Sequence, residues 1–226
     1  MAGHSVDEYL ETIYFLAFPI GEYTPHGTGS PPLASRVAEM LGVSRASAGE
    51  MLKRLEHDGL IERGARKEAL LTKTGRARAE RVVRKHRLIE RLLTDFMGYT
   101  GAEAHERADL LGDTFTDEMI ERIDERLGHP DRCPHGWPVD PEVEQGENLH
   151  LAPLAALDPG TRATIVRLAE HDGDLLHWFY DQGLVPGQEI ELHAAQPAAD
   201  QFTVKLDGGE RAVSARAAAG LFVRPS

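Results

Sequence analysis

A chain of 226 residues with 41% hydrophobic and 6% aromatic side chains has material for two compact domains with ordinary cores. It holds no apolar run of the roughly 18 residues that a membrane-crossing helix requires, and no basic stretch followed by an apolar core near its start, so neither a span nor a secretory signal is expected. One cysteine, Cys133, excludes an intrachain disulfide and fits a reducing cytoplasm, while the net charge of −12 argues against nucleic acid only until its distribution is considered. Residues 31–100 carry 15 Lys+Arg against 9 Asp+Glu, a surplus of +6, which leaves −18 for the remainder. A basic module inside an acidic chain suits attraction to DNA by that module alone, although a solvated helix face has the same composition.

In chain order, Val6, Tyr9, Leu10, Ile13 and Leu16 recur at helical spacing, with Ser5 and Glu8 placed as a capping box and Pro19 beyond the end. Residues 19–32, rich in Gly, Pro and Thr, read as a loop. Pro31 to Thr72 predicts a helix-turn-helix with a β-hairpin wing. Val37, Met40 and Leu41 line its first helix, which ends at Gly42; Ser44 caps the second, whose inner face is Ala48, Met51, Leu52 and Leu55. In such a motif the N-terminal residues of the second helix face the base edges, here Ser44, Arg45, Ala46, Ser47 and Glu50. Arg36, Lys53, Arg54, Arg66 and Lys67 suit phosphate contacts, which set register without reading sequence.

A long helix follows from Thr74 to about Met97, basic at first and then apolar at Val83, Leu88, Leu92 and Phe96. A second helical region, roughly Ala102 to Leu127, carries Leu110, Phe115, Met119 and Ile123; long apolar helices behind a DNA-binding head point to a homodimer. The Pro-, Gly- and acid-rich stretch from His129 reads as a linker. Short strands are expected at Arg162–Ala169, Gln188–His193, Phe202–Leu206, Ala212–Ser214 and Leu221–Val223, with a helix near Asp174–Asp181 and a turn at Asp207-Gly208-Gly209, making a small, partly open β-barrel. The predicted class is mainly α with a small β domain: residues 1–73 a winged helix-turn-helix, 74–128 a helical metal-binding and dimerisation domain, 129–150 a linker, and 151–226 the barrel.

Three side-chain sets can bind a divalent ion. His86 and Glu90 are four apart on the long helix; His105, Asp109 and Asp113 continue at the same spacing on the next; Glu8 and Glu11 share a face of the first. Taken singly, each is equally what a solvated acidic helix face looks like, and Glu103 and Glu106 also oppose a helix dipole. Taken together, imidazoles and carboxylates without thiolate favour manganese or iron(II). A metalloenzyme using His86, Glu90, His105 and Asp109, or a Cys133/His135 nucleophile pair, lacks any supporting motif such as H-E-x-x-H. The closer rival is a winged-helix regulator that metal does not gate.

The segments DEYLETIY at 7–14, RVAEMLGVS with MLKRLEHDGLI, LTKTGRARAERVVRKHRLIERLL at 71–93, HERADLL with TDEMIERI, and RCPHGWPV resemble the diphtheria-toxin-repressor family of metal-dependent transcriptional regulators, manganese transport regulators included. DQGLVPGQEIEL resembles the FeoA-like barrel that longer members append. The resemblance implies a cytoplasmic homodimer that binds an operator in double-stranded DNA when metal is bound, a repressor of metal-uptake or metal-homeostasis genes rather than an enzyme. It carries His86, Glu90 and His105 over as one metal site, with Glu170 and Asp172 as barrel candidates. For a second site it implies Glu8, Glu11, Asp109 and Asp113, but Gly112 stands where the family has a glutamate and Asp113 where it has a histidine. Either water replaces the missing ligand, or that site is weakened or displaced. Hard oxygen donors imply Mn(II), with Fe(II) as the alternative. The implied mechanism has metal bridging Glu8 or Glu11 to the helices bearing His86 and Asp109.

Overall fold

A computed structural model describes residues 4–17, 33–64, 69–144, 147, 150–170 and 172–226. The chain divides into two compact units, Met1–Arg84 and Lys85–Ser226.

The first unit begins with α1 (Val6–Ala17), whose capping box forms as its sequence predicts: the Glu8 amide donates to Ser5 Oγ at 3.2 Å, and the Ser5 amide donates to the Glu8 carboxylate. Helices α2 (Leu33–Met40) and α3 (Arg45–His57) are joined by a turn in which Gly42 takes φ +62°. Strands β1 (Ile61–Arg63) and β2 (Ala69–Leu71) pair antiparallel, Ile61 opposite Leu71, to make the wing. Leu10, Ile13 and Tyr14 of α1, Val37 of α2, Leu52 and Leu55 of α3, Ile61 of β1 and Val83 of α4 (Lys73–Met97) share one core. Ala48, Leu52 and Leu55 are fully buried and Met51 is partly so, which gives α3 the inner face expected from its spacing. The expected loop at 19–32 and the wing-tip residues Arg66 and Lys67 lie outside the described residues.

The second unit holds the rest of α4, then α5 (Gly101–Leu111) and α6 (Asp117–Leu127). The single helical region expected over 102–127 is thus two helices. At Gly112 the chain tightens into a 3-10 turn (Gly112–Thr114), and Thr116 starts α6 by accepting from the Met119 amide at 3.3 Å. Thr100 and Glu103 form a reciprocal capping box on α5, which accounts for Glu103.

A six-stranded antiparallel sheet closes the unit, in the order β3 (Ala152–Pro153), β8 (Leu221–Pro225), β4 (Arg162–Leu168), β5 (Glu189–Gln196), β6 (Gln201–Leu206), β7 (Gly209–Ser214). Leu206 pairs with Gly209, so the expected Asp-Gly-Gly turn joins β6 to β7. Helices α7 (Gly173–Gln182) and α8 (Ala215–Ala219) contribute Leu176, Phe179, Ala217 and Ala218 to the barrel core. Trp178 and Tyr180 pack against that core.

The stretch expected as a linker is instead built into this unit. The Cys133 amide donates to Trp137 O at 2.8 Å, the Leu168 amide to His135 O at 3.0 Å, and the Trp137 indole N–H to Leu168 O at 2.9 Å. Cys133, His135, Trp137 and Val139 are buried. Gly136 makes the turn possible: its φ is +87°, and a Cβ there would stand 1.8 Å from Val166 O. Pro and Gly signalled a turn, but composition does not tell a solvated turn from one packed on both sides.

Candidate metal centre

Four elements deliver the candidate ligands. On α4, His86 and Glu90 are one turn apart and face the same way; α5 supplies His105; the Cys133–Trp137 turn supplies His135; Glu170 follows the end of β4. Glu90 Oε1 is the hub, at 2.9 Å from His86 Nε2, 2.8 Å from His105 Nδ1 and 3.3 Å from His135 Nδ1. His135 Nδ1 is also 3.6 Å from Glu170 Oε2, and His86 Nε2 is 3.1 Å from His105 Nδ1.

Glu90, His105, His135 and Glu170 are all buried, and each offers a ligand atom within 4.8 Å of the others. A second group, His86, His105 and Asp109, meets the same spacing; it shares His105 with the first and opens to solvent at Asp109. Asp109 Oδ1 stands 3.4 Å from His86 Nδ1.

The buried groups of the site shift one another's proton affinities. Burial alone would raise the Glu90 carboxyl, but the charges of His135 and His86 and the bonds from His105 and His135 hold it well below the ordinary range. Burial alone would lower His135, yet Glu90 and the contacts with Cys133 hold it well above its ordinary value. Glu170 is pushed up by burial and by the negative charge of Glu90, against the pull of Arg87. Cys133 Sγ lies 3.8 Å from His135 Nδ1, and burial pushes its thiol up to about 11, so the sulfur stays protonated there. Tyr180 packs beside His135: its hydroxyl donates to Pro134 O at 3.0 Å, its ring meets that of His135 edge-on, and its hydroxyl is pushed up to about 12 by burial.

These residues fit a divalent ion. Glu90 Oε2 and His135 Nε2 are buried with no hydrogen-bond partner among the described residues, an arrangement that is costly unless something else engages those atoms. Two carboxylates and imidazoles make a nitrogen and oxygen donor set for such an ion.

The other sequence candidates are described within their own units. Asp113 is exposed in the 3-10 turn and joins neither group. Asp172 caps α7, accepting from the Leu175 amide at 3.2 Å, and pairs with Arg216. Glu8 and Glu11 lie on α1 in the first unit, where Glu8 is engaged by His4 at 3.0 Å and by Ser5. On the head, Ser44 accepts from the Ser47 amide at 3.0 Å as the α3 N-cap. Arg45, Ala46, Ser47 and Glu50 stand exposed, as do Lys53, within 3.2 Å of Glu50, and Arg54. Arg36 is partly buried, and burial lowers its guanidinium from the ordinary value.

His135 is the ligand candidate that periodicity missed. It sits in a turn, where no repeat places a side chain. The Cys-Pro-His-Gly tetrapeptide, with two metal-binding residue types separated by one residue beside turn formers, was the available signal.

Comparison with known proteins gives the same reading. Residues 1–69 match the model for the iron dependent repressor N-terminal DNA binding domain, 72–140 that for the iron dependent repressor metal binding and dimerisation domain, and 152–225 the FeoA domain. The iron-dependent repressor IdeR of Mycobacterium tuberculosis is 32% identical over 200 residues, 83% of each chain. The chain belongs to the iron-dependent repressor family. A second member, the diphtheria toxin repressor of Corynebacterium jeikeium, is 33% identical over 215 residues, 85% of this chain and 86% of that one. Among solved structures of the family, a manganese-dependent transcriptional repressor in complex with manganese matches with TM-score 0.80 at 27% identity, covering 98% of this chain and all of that one. The T. acidophilum IdeR structure matches with TM-score 0.79 at 27% identity over the whole of both chains. The family is one of metal-dependent, dimerising, DNA-binding repressors and not of enzymes, and the clustered ligands and the winged head place this chain in that class.

Proposed function

We propose that this repressor is gated by Mn(II), bound in the first instance by Glu90, His105, His135 and Glu170, and that it acts in the cytoplasm on metal-uptake or metal-homeostasis genes. The observation that carries the reading is the buried donor set, two carboxylates with imidazoles around orphaned Glu90 Oε2 and His135 Nε2 atoms. Nitrogen and oxygen donors suit manganese and iron(II) alike; the two carboxylates as hard oxygen donors favour Mn(II), with Fe(II) as the alternative. A bound ion would supply positive charge where the carboxylates of Glu90 and Glu170 converge. Its leverage on DNA binding is the ratio of its affinities for the two forms of the repressor; a 10⁴-fold preference, roughly 5.5 kcal/mol, turns about 1% active into about 99%.

On the head, Ser44 fixes the start of α3, so that Arg45, Ala46, Ser47 and Glu50 project from its first turns into the major groove. The second copy docks through the large apolar side chains that the helices leave exposed, Phe96, Met97, Leu110 and Met119. Leu110 is 72% exposed, so Leu110→Glu costs the folded subunit little, yet it should halve the mass seen by light scattering. An unchanged mass places the dimer elsewhere.

The proton on His135 provides a test that needs no DNA. Against the effect of burial, Glu90 raises the proton affinity of His135 well above its ordinary value, so an ion that took that nitrogen would have to displace a firmly held proton. Binding therefore releases a proton, and affinity rises with pH. Calorimetric titrations of Mn(II) in buffers of different ionisation enthalpy should give apparent heats that differ by the buffer's share; identical heats contradict it. Parallel anaerobic titrations with Fe(II) decide between the two metals.

A further inference from the structure

Beside the metal centre lies a second buried group that the ligand set does not use. The Trp137 ring is flanked by two guanidinium groups, Arg87 at 5.7 Å and Arg167 at 4.6 Å from its centroid. All three side chains are fully buried. Arg87 donates to Pro138 O at 2.7 Å and pairs with Glu144; Arg167 Nε donates to Glu147 Oε2 at 3.0 Å. Arg132 also reaches Glu147, at 3.1 Å. Two buried cations are thus matched by two carboxylates from a single stretch of chain, the condition under which buried charge is tolerated.

The placement of the three members is specific. Arg87 lies one turn before Glu90 on α4, Trp137 two residues after His135, and Arg167 three residues before Glu170. Three of the four segments that bring a ligand to the centre, α4, the Cys133–Trp137 turn and the end of β4, are therefore each pinned by one member of the stack; α5, which brings His105, is not. A β-bulge puts Arg167 there. Between Ile165 and Arg167 the register of β4 against β8 slips, so that Ile165 and Leu168 face the barrel core and Arg167 faces Trp137. Without the slip, alternation would put Arg167 on the same face as Ile165.

We propose that the Arg87–Trp137–Arg167 stack is a positioning device of the metal centre, which holds the Cys133–Trp137 turn against α4 and the barrel in the metal-free protein so that the ligands stand assembled before an ion arrives. This rests on the reading of Glu90, His105, His135 and Glu170 as metal ligands. Cation–π contacts strengthen when desolvated, and a planar guanidinium can lie against an aromatic ring in a way that an ammonium cannot reproduce.

The test uses the dimer of the whole 226-residue chain and two readouts. The first is Mn(II) affinity by calorimetry; the second, taken without metal, is hydrogen exchange at the amides of Leu168 and Val139, which donate to His135 O and Asp131 O. Trp137→Leu should weaken Mn(II) binding by roughly 10–100-fold, the range for groups that orient ligands, and should speed exchange at both amides. Trp137→Phe keeps an aromatic face and should recover most of both. Should Trp137→Leu not fold, Arg167→Lys, which keeps the charge beside Glu147 but loses the flat face, is expected to act in the same direction. Wild-type affinity and wild-type exchange in these variants would overturn the proposal. So would weakened binding with unchanged exchange, because the stack would then not be ordering the metal-free turn. Wild-type protein that binds no Mn(II) or Fe(II) would sink the ligand reading, and with it this proposal's metal clause, while the exchange data would still decide whether the stack orders the turn.

Discussion

Glu90→Ala is expected to abolish the metal response of the repressor. The Glu90 side chain is completely buried and one of its oxygens lies against three imidazoles, at 2.9 Å from His86, 2.8 Å from His105 and 3.3 Å from His135. Removing it takes away a ligand and strands the His135 proton, whose raised affinity depends on Glu90. The loss of Mn(II) affinity should exceed about 100-fold, since even groups that only orient ligands are worth 10–100-fold. In the wild-type protein, Mn(II) at a hundred times its Kd should stabilise the fold by about 2.7 kcal/mol, read as a rise in melting temperature. The variant should show no rise. Breaking a buried pair also costs stability in the absence of metal, about 3–5 kcal/mol, so Glu90→Gln serves as the better-packed companion. A rise equal to that of wild type in both would remove Glu90 from the site.

Gly136→Ala should have the second large effect, without touching a ligand. Its φ of +87° is strained for an L residue, and the new Cβ would stand 1.8 Å from Val166 O, a backbone atom that cannot step aside cheaply. Strain and displacement together should cost about 2–5 kcal/mol, seen as a lower denaturation midpoint in urea. Because His135 precedes Gly136, Mn(II) affinity should fall as well. Gly160→Ala is the control. Gly160 has φ +89° but nothing within 4 Å of the new Cβ, so it bears the strain without the overlap. Equal midpoints for the two variants would mean that the turn is not held against β4 as described.

What could be read in the sequence was whatever repeats. The inner face of α3, the capping box at Ser5 and Glu8, the Gly42 turn and the barrel strands all follow from periodicity or turn chemistry, and so does the His86/Glu90 pair. Three features did not follow. The 102–127 region kept a helical pattern of apolar residues through Gly112, and only the Thr116 cap marks the new start. Composition hid the stretch after His129: Pro, Gly and acids suggest solvent, yet Glu144 and Glu147 pair with buried arginines and Trp137 is the largest fully buried side chain among the described residues. His135 reaches the centre by a turn, and Arg167 reaches Trp137 by a bulge, and neither device has a period. The candidate Asp172 lies two residues from Glu170, yet it went to a helix cap, because a short acid before Gly173 at a helix start serves the backbone first.

The most direct measurement of metal gating is the affinity of the protein for an operator duplex, obtained by selection from random-sequence DNA, at one fixed salt concentration with Mn(II) and again with a chelator. Gating through the buried centre predicts tight binding with Mn(II), at least tenfold weaker binding with chelator, and the weaker value for Glu90→Ala under both conditions. Equal affinity with and without Mn(II) and Fe(II) would contradict it, and would leave a winged-helix repressor whose buried histidines and carboxylates serve the fold alone.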